Sequence, residues 1–354
     1  MSEGLTVEKV IEALRPVEDP EIHKSLVELG MIRDVAVAEG VVSFKVVLTT
    51  PACPMKAEIE RSCREAVKAL PGVKEVRVDF GAEVPKARVQ TDRQPIEGVK
   101  NIIAVASGKG GVGKSTVSVN LALALAQSGA QVGLLDADIH GPNIPIMLGL
   151  KNESPRAAGE SILPMEIHGL KVMSIGVLVP AESALIWRGP MLHSALQQFF
   201  RQVCWSPLDY LIVDLPPGTG DVPLSMTQTV PVSGAVIVTT PQEVALADVR
   251  KGINMFRKIE VPILGIVENM SYFVCPKCGE RSEIFGSGGG ERSAMQFAVP
   301  LLGRIPLETA IRKGGDEGQP VILSHPDSET AEAFKAVAGQ VAAQMSLANL
   351  TDES

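Results

Sequence analysis

"ASGKGGVGKST", residues 106–116, lies between the apolar run "NIIAV" and the helix-like stretch "VSVNLALALAQ". It fits the phosphate-loop pattern G-x-x-x-x-G-K-[ST] through Gly108, Gly113, Lys114 and Ser115. Glycines at these places let backbone N–H groups turn inward around phosphate oxygens, and the following helix adds its positive dipole end. Lys114 is expected to neutralise β- and γ-phosphates, and the Ser115 hydroxyl to hold Mg²⁺. The whole run Gly108, Lys109, Gly110, Gly111, Val112, Gly113, Lys114, Ser115 and Thr116 is therefore the candidate nucleotide cradle. Lys109 is a cation that the general pattern does not require, and a solvent-facing lysine is its plain alternative.

The surroundings decide the fold class. From residue 99 onward, apolar runs alternate with helical stretches: "NIIAVAS", "QVGLLDAD", "KVMSIGVLV", "LDYLIVDL", "GAVIVTT", "ILGIVEN" and "PLLGRIP". Strands this apolar suit a parallel sheet covered on both faces. Residues 1–80 read differently. "VEKVIEALRPV" has an apolar helical face, "DVAVAEGVVSFKVVLTT" is a hairpin around Glu39-Gly40, and "MKAEIERSCREAVKAL" is a second amphipathic helix before the strand "VKEVRVDF". The expectation is α/β: a mostly parallel-sheet P-loop NTPase core over 99–354, a linker over 81–98, and a small N-terminal α+β domain over 1–80 with the order αββαβ.

Composition narrows the function classes. The 354 residues are 45% hydrophobic, enough for a real core, and the formal charge of −8 argues against a broad nucleic-acid-binding face. No run reaches the roughly 18 apolar residues of a membrane span. Five irregularly spaced cysteines without an N-terminal apolar signal point to a reducing, cytoplasmic setting. Neither nucleic acid nor membrane is expected as a partner.

Two acidic strand ends complete the nucleotide site. "LLDADIHGPN" places Asp136 and Asp138 at the C-terminal end of one strand, and "YLIVDLPPGTGD" ends another with Asp214, the position of a Mg²⁺-shell carboxylate. The Pro-Pro-Gly-Thr-Gly that follows would make a stiff turn able to report on a γ-phosphate.

The cysteines divide by setting. Cys63 and Cys204 sit among apolar neighbours and are expected to be core residues. Cys53 precedes a helix whose dipole would favour a thiolate, and a half-buried loop cysteine is the alternative. Cys275 and Cys278, in "SYFVCPKCGERSEIFG" (271–286), have the spacing of half a tetrahedral metal site, yet no second pair follows and His325 is distant. If two chains meet face to face, four thiolates converge on the two-fold axis, a set that selects an Fe–S cluster or zinc.

"KGGVGKST" resembles the deviant Walker A of the MinD/ParA/nitrogenase-iron-protein class. With "DADIHGPN", "DLPPGTGD", "VTTPQEVALADVRKGINMF", "ENMS" and "CPKCG", residues 99–345 resemble the Mrp/ApbC iron–sulfur cluster carrier ATPases. "EDPEIHKSLVELGMI" and "TTPACP" in residues 5–80 are similar to the SufT/PaaD-type iron–sulfur assembly domain. The resemblance implies that Lys109 reaches across a homodimer to the partner's nucleotide and that Asp138 is the hydrolytic aspartate. It places the Mg²⁺-shell carboxylate on Asp214 and the purine-reading amide on Asn269, which could equally be a strand-end turn residue. It also assigns Cys275 and Cys278 to a bridging [4Fe–4S] cluster. The implied cofactors are ATP, Mg²⁺ and that cluster, and the implied partners are apo iron–sulfur proteins and cluster-assembly scaffold proteins. The competing reading is a MinD/ParA-like organiser ATPase with a zinc clasp. "WRGPM", residues 187–191, suggests only a loop adjacent to a switch.

Overall fold

The apolar runs become one twisted sheet, and the computed structural model describes residues 5–87, 93–138, 141–150, 153–177, 189–218 and 220–351. In the amino-terminal unit, helix α1 (Val7–Leu14) precedes the hairpin of β1 (Ile32–Ala38) and β2 (Val41–Leu48), then α2 (Lys56–Lys68) and β3 (Glu75–Ala82). Glu39 and Gly40 both take positive φ, 52° and 86°, as a tight hairpin turn requires. β2 pairs antiparallel with β1 and parallel with β3, with α2 as the crossover. Leu14, Leu26, Phe44, Ile59, Cys63 and Val67 close its core.

The larger unit begins with β4 (Val99–Ser107), α3 (Lys114–Gln127), β5 (Val132–Asp136) and the short α4 (Ile144–Met147). Three-residue strands β6 (Arg156–Ala158), β7 (Ser161–Leu163) and β8 (Met165–Ile167) lead into β9 (Leu170–Ser174). Then follow α5 (Gly189–Arg201), β10 (Leu208–Asp214), α6 (Asp221–Thr229), β11 (Gly234–Thr239), α7 (Glu243–Lys258) and β12 (Ile263–Glu268). The two-residue strands β13 (Phe273–Val274) and β14 (Arg281–Ser282), α8 (Gly289–Phe297), β15 (Leu301–Arg304), α9 (Thr309–Glu317), α10 (Val321–Ser324) and α11 (Glu329–Thr351) complete the chain. The sheet order is β15-β12-β11-β4-β10-β5-β9-β8, and only the β8 edge is antiparallel. Helices cover both faces. α3 lies between the sheet and α11 and is buried on nearly every side from Val117 to Leu125, which explains why its residues there are apolar apart from Ser118 and Asn120. Phe199, Phe200, Val249 and Phe256 of α5 and α7 seal the other face. No described helix is long and apolar enough to cross a membrane.

Three sequence expectations need correction. The run "KVMSIGVLV" is a strand only to Ser174, then a 3₁₀ turn over Ile175–Val177, with residues 178–188 outside those described. That leaves Trp187 and Arg188 of "WRGPM" outside the described residues as well. Cys204 is exposed, because its neighbours Val203 and Trp205 take the inward positions of an extended turn. The stretch read as a linker is gripped by the larger unit. Val84 is 6% exposed within the core beneath α3 and α11. The carbonyl of Pro85 accepts from the Asn101 side-chain amide at 3.0 Å and from that of Asn349 at 3.3 Å. Asn349 also donates to Asn101 Oδ1 at 3.0 Å.

The amino-terminal unit rests on this surface through residues 50–54. Buried Tyr210 donates its hydroxyl to Thr50 at 3.2 Å, and Gly339 of α11 leaves room for the Ala52 carbonyl. A chain shortened to begin at residue 83 keeps the Val84 and Pro85 contacts, whereas one beginning at residue 95 loses them. Burying a valine side chain is worth about 2 kcal/mol, so the shorter chain should melt at a lower temperature by several degrees. Equal melting temperatures would mean that the Val84–Pro85 contacts contribute nothing.

Candidate nucleotide site and cysteine knuckle

The parallel register brings the acidic strand ends together. Asp214, the last residue of β10, pairs with Val105 of β4 on one side and Asp136 of β5 on the other. β4 runs directly into the glycine-rich loop, and α3 starts at Lys114. Gly113 turns the chain at φ +82°, and a Cβ there would stand 2.2 Å from Asn269 Nδ2. No other residue fits that turn.

Charge is tightly paired at this edge. Lys114 Nζ lies 2.8 Å from Asp214 Oδ2 and 3.6 Å from Asp138 Oδ2, with the lysine side chain 6% and Asp214 0% exposed. Ser115 and Ser118 each donate a hydroxyl to Asp214 at 2.6 Å. Asp136 accepts from the Ser174 hydroxyl and from the N–H groups of Asp138 and Ile144, so it pins both ends of the loop that carries Asp138. Burial, with the Asp214 charge beside it, pushes the Asp136 carboxyl up to about 7 despite those three donors.

A cavity of about 480 Å³ opens over the loop. Lys109, Gly110, Gly111, Gly113, Lys114, Ser115, Thr116, Asp138 and Asn269 line it. Gly108 sits behind it against Asp248 of α7, and Val112 turns its side chain into the core. The Asn269 amide is engaged by the loop itself, donating to the Val112 carbonyl at 2.8 Å, with its Oδ1 and second N–H left for a ligand. Lys109 Nζ rests 3.3 Å from Gln242 Oε1, just ahead of α7. The rest of the lining combines apolar Met270, Pro306, Leu307 and Ile311 with charged Glu308, Arg312 and Asp316. Apolar side chains of that kind suit a flat ring, and the loop N–H groups with Lys114 suit an anion. Ser115 and Asp214 supply the hard oxygen donors that Mg²⁺ prefers, and the Lys114 ammonium already stands beside Asp214 as a cation.

Cys275 and Cys278 lie in the turn between β13 and β14. The Cys275 N–H donates to the Glu280 carbonyl at 2.9 Å and Gly279 N–H to the Cys275 carbonyl at 2.8 Å. N–H groups of Lys277 and Cys278, with the Cys278 thiol, face the Cys275 sulfur and hold its pKa below the ordinary thiol value. At the base of the knuckle the Arg281 guanidinium stacks on Tyr272, 3.8 Å from the ring centre, and the Tyr272 hydroxyl donates to Glu329 at 2.9 Å. Among the described residues no group of three or more His, Cys, Asp or Glu side chains is arranged to hold a metal. Cys53 contrasts with this pair. Burial pushes its thiol up to about 11, outweighing the N–H groups of Met55 and Lys56. The thiolate expected from the helix dipole is therefore absent at Cys53.

Sequence reading missed Ser118, Gln242 and the α9 wall. Ser118 carries a weak signal, one helical turn after Lys114 on the same face. Gln242 and Ile311 reach the site only through tertiary packing and have none.

Comparison with known proteins gives a consistent set of relatives. The NUBPL iron-transfer P-loop NTPase family, of ParA type, matches residues 98–342, and an iron–sulfur cluster assembly protein family matches residues 7–80. The chain is 56% identical over 351 residues to an iron–sulfur cluster carrier protein of Synechocystis, covering 98% of this chain and 99% of that one. A protein of the same description from Escherichia coli is 44% identical over 337 residues, covering 95% and 91%. Among solved structures, a nucleotide-binding protein of Archaeoglobus fulgidus in complex with ADP superposes with a TM-score of 0.59 at 40% identity, covering 68% of this chain and 93% of that one. The cell division ATPase MinD of Pyrococcus furiosus gives 0.53 at 26% identity, covering 68% and 98%.

The raised carboxyl of Asp136 has a measurable consequence. Its folded pKa of about 7 lies above the ordinary 3.8, so the folded state holds the proton more tightly. Stability from this group is therefore lost as pH rises from about 4 to about 7, and the loss is complete above that. Asp136→Asn removes the charge at nearly constant size. Its melting temperature relative to the parent should climb between about pH 4 and pH 7 and level off above that, reflecting up to about 4 kcal/mol. A difference independent of pH would show that Asp136 does not titrate in this window.

Proposed function

This chain belongs to the iron–sulfur cluster carrier family of ParA-type P-loop NTPases, and on that footing we propose that it is an ATP-hydrolysing homodimer that carries a [4Fe–4S] cluster and transfers it to apo-proteins in the cytoplasm. The observation that carries this reading is the pairing, in one chain, of a nucleotide cavity with an exposed two-thiol knuckle. Cys275 follows Asn269 of the cavity wall by six residues. Two thiols per chain supply half of an S₄ set, and two copies related by a two-fold axis complete it. A cluster held at such an exposed seam is accessible for hand-over. The N-terminal unit, residues 1–80, serves in this scheme as the adaptor for scaffold and recipient proteins.

The nucleotide residues take complementary roles. Ser115 and Asp214 would hold Mg²⁺, which would supply positive charge to offset that of the phosphates. Lys114, which pairs with Asp214 at 2.8 Å, would turn to the β- and γ-phosphates. Asp138, 3.6 Å from Lys114, orients water for attack. Asn269 reads the purine edge with its remaining amide atoms. Lys109 leaves Gln242 to reach the partner's nucleotide, and Val244, two residues further on and 71% exposed, offers apolar surface to the second copy.

Two sets of variants test this. Lys114→Ala should abolish nucleotide binding and lower the melting temperature, since it strips Asp214 of its counter-charge. Lys109→Ala should keep affinity within about threefold of the parent while turnover falls by at least tenfold. Equal losses of affinity in both would argue against a role for Lys109 across the dimer. The cargo is tested by anaerobic reconstitution with iron and sulfide analysis, which should find about four iron atoms per dimer. Cys275→Ala and Cys278→Ala should lose them, and Cys63→Ala and Cys204→Ala should not. A dimer saturated by one zinc ion, taking up no sulfide, would instead make the chain a zinc-clasped organiser ATPase.

A further inference from the structure

Glu268, the last residue of β12, is fully buried, and its carboxylate is shared between the two stems of the knuckle. Oε1 accepts the hydroxyl of Ser271, before the cysteines, at 2.6 Å. Oε2 accepts the N–H of Gly290, after them, at 2.5 Å. Arg304 Nε stands 3.8 Å from Oε1 and has no hydrogen-bond partner of its own, while Arg304 Nη2 pairs with Glu291 of α8 at 2.5 Å. The entire segment 272–289 is thus tied at both ends to one carboxylate.

The same strand end is tied to the nucleotide loop. Asn269, next in the chain, donates its side-chain amide to Val112 and its main-chain N–H to Thr239 at the end of β11. The start of α8 is wedged between these strand ends. A Cβ on Gly290 would lie 2.9 Å from Glu268 Cβ, and one on Gly289 would lie 2.5 Å from the Pro241 carbonyl oxygen. Pro241 adjoins Gln242, on which Lys109 rests. Any shift of Asn269 or Gln242 on filling the cavity is therefore passed to the N-terminus of α8 by packed contacts.

We propose that Glu268 is a positioning residue that couples the nucleotide cavity to the cysteine knuckle, its carboxylate holding both knuckle stems to the strand end that also carries Asn269. This rests on the knuckle being the cargo site, but its test needs no cluster. Coupling between two sites commonly amounts to about fivefold or more in the response of one to the other. The rate at which iodoacetamide alkylates Cys275 and Cys278 in the full chain is read by mass spectrometry, with Mg–ADP and with a non-hydrolysable ATP analogue. In the parent the two nucleotides should give rates differing by about fivefold. In Glu268→Ala, which removes the acceptors of both stems, the ratio should fall toward one while analogue affinity stays within about threefold. Ser271→Ala, a smaller change that frees one stem, should lower the ratio part of the way and serves if the first variant does not fold. A ratio of one in the parent, an unchanged ratio in both variants, or loss of nucleotide affinity together with the ratio would each overturn the coupling. None of those results bears on cluster binding, which iron and sulfide analysis decides separately.

Discussion

Lys114 and Asp214 meet at 2.8 Å where almost no water reaches, and neither charge can be kept there alone. Stripping a buried charge of its partner costs about 3–5 kcal/mol, a large share of a domain's stability. The surrounding structure serves to keep the pair together. Parallel register sets Asp214 beside the exit of β4, Gly113 turns the loop back so that Lys114 opens α3, and two serine hydroxyls fill the remaining lone pairs of the carboxylate. The same arrangement makes the pair exchangeable. Phosphates are a better partner for the ammonium, and a divalent ion is a better partner for the carboxylate. On the proposed function, nucleotide and metal together would replace one balanced set with another and leave neither group bare.

What could be read from the sequence follows from how local each constraint is. The strands of the large sheet were legible because burial on both faces demands unbroken apolar runs, as in "LIVD" and "AVIVT". The phosphate loop was legible because its glycines, lysine and serine must stand at fixed spacing. The strands β6–β8 were not, since three-residue strands, largely exposed in β6 and β7, carry no period. Cys204 misled because its aromatic neighbours are buried while its own position points outward. The Pro85–Asn101–Asn349 contact joins residues far apart in the chain, and buried amides have no sequence signature. Ser118, Gln242 and Glu268 belong to the same class. Each acts through a partner that only the tertiary fold brings near.

The cysteines show how little residue type alone decides. Cys53 and Cys275 both receive backbone N–H groups, yet the thiol pKa rises to about 11 in one and falls in the other. Desolvation is the difference. Cys53 lies half buried with Asp19 and Glu21 nearby, so a negative sulfur there is opposed by medium and neighbours alike. Cys275 sits partly exposed in a two-strand turn, where the N–H groups and the Cys278 thiol outweigh desolvation. The same donor type thus lowers one thiol pKa and fails to lower the other, according to how far the sulfur is desolvated.

Adjacent residues at the end of β12 reach in opposite directions, Asn269 toward the phosphate loop and Glu268 toward α8. Strand geometry makes this possible, because successive side chains leave opposite faces. A slip of one residue would set Glu268 where Asn269 stands, putting a carboxylate against the Val112 carbonyl, where it could only repel, and would leave Val267, with no polar group, between Ser271 and Gly290. The β12 register is therefore constrained by chemistry on both sides, beyond the apolar residues before it. The cavity wall and the knuckle stems thus share one strand end, and the turn with Cys275 and Cys278 begins where that shared end stops.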